Sequence, residues 1–175
     1  MLLLKFELNK NFAHKLGLML ESRLIWYKHY DLWCEEIIDQ YNEPPFWVIE
    51  LAATKYIPDA VRIVNYYVYS EPFEKFDTNN DLYVACLFIR YERNEISWAT
   101  FLENAGKYTD GNDAKVDCSY FYTMLNDYED TEFSLKLEKV QNKKVYNEFY
   151  PEIKEMQHYY NPFISYFKDY IKNNR

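Results

Sequence analysis

The residue types that carry chemistry are present in this chain but are not assembled into known sites. Its histidines, His14, His29 and His158, stand far apart, and none belongs to an HExxH or mixed Cys/His pattern that closes on zinc. Cys34, Cys86 and Cys118 form an odd, widely spaced set without a CxxC pair, which reads as reduced, buried thiols in a cytoplasmic protein and not as a disulfide frame. No GxSxG or SxxK motif supplies a nucleophile. Asp77-Thr78-Asn79-Asn80-Asp81 imitates the opening of a calcium loop. However, its sixth position is Leu82, where the turn needs glycine, and its twelfth is Phe88, where the cation needs a bidentate glutamate. The expectation is a protein with no catalytic residue, metal or cofactor. Paired-carboxylate hydrolysis stays open as an alternative, because it needs only two acids at the right separation.

The acids do cluster. The formal net charge of −8 is shared evenly between the two halves of the sequence, yet local counts differ sharply. Residues 110–132 hold seven carboxylates against Lys115 alone, a local charge of −6. Residues 71–81 carry Glu71, Glu74, Asp77 and Asp81 against Lys75, or −3, whereas residues 133–144 come to +3. Turn and cap roles can account for Asp113 and Asp117 singly, and a solvated loop for 127–132. The cluster as a whole still costs self-repulsion unless solvent or a cationic partner offsets it. Such a surface repels phosphate backbones, which disfavours direct nucleic-acid binding, and it attracts basic proteins.

Tyrosine points the same way. Among 19 tyrosines, Tyr66-Tyr67, Tyr69, Tyr120, Tyr122, Tyr128, Tyr159 and Tyr160 occupy adjacent or alternate positions, so on helices they cannot all face inward. Exposed tyrosines suit protein interfaces, although a low-GC genome would also enrich tyrosine. The candidate partner-binding residues are therefore Asp110, Asp113, Asp117, Tyr122, Asp127, Tyr128, Glu129, Asp130 and Glu132, joined by Glu74 and Asp77.

These residues must be positioned by helices. The chain has only 3 glycines, against roughly 12 at average usage, which leaves little material for phosphate loops or hairpin turns. Residues 1–8 alternate (Leu2, Leu4, Phe6, Leu8) as a short strand would, but no equal strand follows. Phe12, Leu16, Met19 and Leu20 then begin a helical stripe that Trp26, Tyr30, Trp33, Ile37 and Tyr41 continue to about Asn42, with a break expected near Tyr30-Asp31. Pro44-Pro45 ends it and opens a short, largely buried helix over 46–53; Pro58 opens the next, with Val61, Val64 and Val68 on one face. A loop over 70–80 precedes a helix capped by Asp81, and another runs from Trp98 to Gly106. After the turn Thr109-Asp110-Gly111-Asn112-Asp113, Asp117 caps a helix, Thr131 caps a second, and Pro151 starts a last region interrupted at Asn161-Pro162. The expectation is a single all-α domain over 1–175, with about eight helices in a compact orthogonal or solenoid-like array. No window is apolar and long enough to span a membrane, and Met1-Leu2-Leu3-Leu4 meets Lys5 too soon to be a signal peptide.

The segment Glu43-Pro44-Pro45-Phe46-Trp47-Val48-Ile49-Glu50-Leu51-Ala52, followed by Leu82-Tyr83-Val84-Ala85-Cys86-Leu87, resembles a family of bacterial helical proteins, some of which occur beside toxins. A small acidic helical chain without catalytic motifs also resembles the immunity proteins of bacterial toxin systems, such as contact-dependent growth inhibition. That resemblance carries over no individual residue. It implies an antitoxin that binds a cognate basic toxin, commonly a nuclease, and masks its active site. A non-catalytic adaptor or scaffold is the alternative of another class.

Overall fold

The computed structural model describes residues 6–76, 79–111 and 113–174. Among them the chain forms nine helices and no strand: α1 (Lys10–Glu21), α2 (Tyr27–Gln40), α3 (Phe46–Ala52), α4 (Ile57–Val68), α5 (Asn79–Glu92), α6 (Trp98–Thr109), α7 (Cys118–Asp130), α8 (Leu135–Glu148) and α9 (Tyr150–Asn173). The fold is all-α. Most of the proposed strand, Leu2 to Leu4 included, lies outside the described residues, and Phe6 to Leu8 are irregular. The chain divides into two compact units, one made of the sequence through Lys75 together with residues from Gln157 onward, the other of Phe76–Met156.

In the first unit α1 is buried almost all round, Phe12 through Leu20 without exception, because α4 packs along it. The contact is close: a Cβ on Gly17 would stand 3.0 Å from Asn65 Oδ1. Asn9 caps α1 through its side chain, which accepts from the Phe12 N–H at 3.0 Å. The long stripe breaks earlier than its periodicity suggests, where Arg23 takes a left-handed φ of 61° between α1 and α2. Tyr30 is instead a buried mid-helix residue whose hydroxyl donates to the Thr54 carbonyl. Aromatic rings build the core: Trp33 lies 5.6 Å from Phe12, 5.6 Å from Phe163 and 6.2 Å from Trp47, centroid to centroid.

The second unit is organised on α5, in which Val84 to Ile89 are all buried. Phe88 meets Phe101 edge-on at 5.7 Å, Trp98 stacks on Phe101 at 4.8 Å, and Phe121 and Phe149 close the core. Several punctuation marks act differently from their expected roles. Gly106 does not end α6; it lies inside the helix where α7 crosses, and a Cβ there would come within 2.6 Å of the Tyr122 ring. Thr131 closes α7, and it is Ser134 that caps α8. Pro162 does not interrupt α9, which runs through it. Asp81 lies in the first turn of α5, not at its cap, and is only 7% exposed.

Candidate functional site

The acidic segment belongs wholly to the second unit and falls into two stretches with different physics. In the link between α6 and α7, Asp110, Asp113 and Asp117 are all exposed. Asp117 is the α7 N-cap, accepting from the Ser119 N–H at 2.8 Å, and that bond holds its carboxyl below the usual range. The Cys118 thiol lies near Asp117 and Asp110, at 3.4 Å and 3.6 Å. Burial first, and then these carboxylates, push it up, so it stays a thiol.

Lys115, the one cation of the segment, faces away from these acids. Its ammonium pairs with Glu152 at 2.7 Å and bonds the Glu148 carbonyl at 3.0 Å, while its backbone N–H donates to Asp81 at 3.0 Å. Desolvation raises the Asp81 carboxyl above the ordinary range; the Lys115 N–H opposes this, and Glu152 and Glu148 add to it. Asp81 and Glu152 thus both hold Lys115, and through it they pin the loop that carries Asp113 and Asp117. The consequence for the surface is electrostatic. Seven carboxylates remain without the lysine that the sequence sets among them.

The second stretch is the end of α7. Asp127, Glu129, Asp130 and Glu132 are exposed, and among the described residues none of them is in an ion pair. No base stands in the last turn of α7. The free carbonyls of a helix C-terminus already place a partial negative charge there, so each acid is opposed by about 0.3–1 kcal/mol as well as by its neighbours. The lysines of α8, Lys136, Lys139 and Lys143, are exposed and do not relieve them. The helix ends on two successive left-handed residues, Glu132 (φ 54°) and Phe133 (φ 61°), locked by the Phe133 N–H bonding to the Tyr128 carbonyl at 2.9 Å. Neither is glycine, so the turn is strained, and it holds Phe133 half out of the core, its ring edge-on to Tyr128 at 5.3 Å; Leu135 and Val140 of α8 are exposed as well. The end of α7 thus carries an exposed aromatic ring close in sequence to carboxylates that form no ion pair among the described residues.

The tyrosines part company with the acids. Tyr128 is only 6% exposed, and its hydroxyl donates to Glu138 Oε2 at 2.7 Å while Tyr91 donates to Oε1 at 2.7 Å. Burial, and then the Glu138 carboxylate, push both phenols up to about 12. Tyr128 therefore belongs to a core network and offers a partner nothing directly. Tyr122 is half-buried over Gly106. Glu74 is exposed but belongs to the first unit, and Asp77 lies outside the described residues. The most exposed aromatic side chains, Phe46, Tyr56, Tyr66 and Phe73, are also in the first unit. The helix over 46–53 is correspondingly buried on one face only, through Trp47, Val48 and Leu51.

Among the described residues no group of His, Cys, Asp and Glu is placed to hold a metal ion, and no helix is long and apolar enough to cross a membrane. Comparison with family models, with curated proteins and with solved structures finds no match.

Proposed function

We propose that this chain is an immunity protein, an antitoxin that binds a cognate basic toxin, a nuclease domain, and masks its active site in the cytoplasm, as in contact-dependent growth inhibition. One observation carries the reading: Asp127, Glu129 and Asp130 are held at the negative end of α7, and among the described residues no cation pairs with them. Charge kept where local physics opposes it is explained by a partner that neutralises it. A nuclease presents clustered Lys and Arg to a phosphate backbone, and exposed carboxylates on a folded helix occupy those cations in place of phosphates. Phe133, Leu135 and Val140 supply the apolar contact that charge alone does not, since interfaces draw their affinity from a desolvated centre and their encounter rate from the charged rim.

The test is co-expression with the product of the neighbouring upstream gene. A purified complex and restored growth of the host are expected. Failure of both, with the two proteins soluble, rejects the reading.

A further inference from the structure

A cleft of about 710 Å³ opens between α3 and α4 in the first unit, a volume in the range that holds small ligands and short peptide segments. Its walls are aromatic. Trp47 and Tyr67 stack nearly parallel, 11° apart with centroids at 5.3 Å, and Phe46 and Tyr66 flank them at 72% and 83% exposure. Two features mark it as more than an apolar dent. Trp47 is 5% exposed, yet its indole Nε1–H has no acceptor among the described residues. A buried donor without a partner costs the free protein roughly 1–3 kcal/mol, which an incoming acceptor returns. The second feature is charge: Arg62 is paired with Asp59 at 3.1 Å, whereas among the described residues Glu50, a carboxylate lining the cleft, forms no ion pair.

We propose that this cleft docks an extended, proline-bearing polypeptide segment with one basic residue. Proline rings lie on the exposed rings of Phe46 and Tyr66, a small shift of the Trp47 indole, whose Nε1 is covered in the free protein, lets a peptide carbonyl accept from it, and the basic side chain pairs with Glu50. The chemistry selects this occupant over others. A polyproline II segment makes no internal hydrogen bonds, so its carbonyls are free for the indole, and its rigid backbone loses little entropy on docking against aromatic rings. A helix would need a longer groove with anchors at i, i+4 and i+7, and an added β-strand would need a sheet edge, of which the described residues have none. The single unpaired carboxylate supplies the complement for the basic residue. The proposal is independent of the antitoxin reading, which concerns the second unit.

The test uses the full chain, ¹⁵N-labelled, titrated with the blocked peptide acetyl-Ala-Pro-Pro-Arg-Pro-Pro-Ala-amide and with a control in which every proline is alanine. The indole N–H resonance of Trp47, assigned with Trp47→Phe, is expected to shift and saturate with the proline peptide only. Phe46→Ala and Tyr66→Ala remove exposed side chains and leave the fold intact, and each is expected to weaken binding by about tenfold. Glu50→Gln is expected to weaken it by roughly threefold and to flatten its salt dependence. An unmoved Trp47 resonance at millimolar peptide overturns the proposal. Equal shifts with the alanine control, or unchanged binding to the Phe46 and Tyr66 variants, overturn it too.

Discussion

Glu138 accepts hydrogen bonds from two tyrosine hydroxyls, those of Tyr91 and Tyr128. Replacing it with alanine leaves the Tyr91 and Tyr128 hydroxyls short of an acceptor, and at roughly 1–3 kcal/mol for each orphaned group the expected loss of stability is about 2–6 kcal/mol. Glu138→Gln keeps one acceptor and should lose less than half of that by urea denaturation. Because Tyr128 faces this network, Tyr128→Phe should lower stability without altering the association rate with a basic partner; a slowed rate in a fully folded variant would return Tyr128 to the surface. Asp81 gives a pH dependence of opposite character. Its carboxyl is held above the ordinary value of 3.8, so the folded protein binds that proton more readily than the unfolded chain. The stabilisation is complete below that value and disappears as pH rises through the raised one. Asn at this position can still accept the Lys115 N–H, so the melting temperature of Asp81→Asn relative to the unmodified protein should improve from pH 3.5 to pH 7. A flat difference across that interval contradicts this account.

At the level of the helix, the acidic end of α7 lets the proposed function be tested apart from folding. Asp127, Glu129 and Asp130 sit where the helix dipole favours cations, so changing all three to lysine is expected to raise stability by about 1–2 kcal/mol. The same change should slow association with a basic toxin domain by tenfold or more at low salt, because the steering field reverses there. Stopped-flow mixing and thermal melts on one preparation read both. A variant that is stabilised and still associates at the original rate places the binding surface elsewhere. Helix ends were partly legible from sequence. Asp117 is an N-cap and the prolines open α3, α4 and α9 as their fixed φ requires. Thr131 and Gly106 carried the same local marks and did other things, since whether a helix stops at such a residue depends on what packs beside it.

For the molecule as a whole, 28 acids against 20 bases set a field that a basic partner feels before contact. The association rate is expected to fall by about tenfold between 10 mM and 150 mM salt, as the screening length shrinks from roughly 30 Å to 8 Å. Dissociation should change far less, being governed by the apolar contacts around Phe133. Salt-independent association would leave the acidic run without this role.

By itself the sequence determined the helical class, most helix starts and the density of acids over 110–132. Periodicity, proline geometry and side-chain charge act over a few residues and need no partner from elsewhere in the chain. Only the tertiary structure decided which way each of those residues points. It turned Tyr128 inward to Glu138, drew Lys115 away to Glu152, and left Phe46 and Tyr66 standing around an unsatisfied Trp47. Glu138, Glu152 and Tyr67, the partners in those arrangements, lie 10, 37 and 20 positions away from the residues they meet, and no local pattern encodes an encounter between helices.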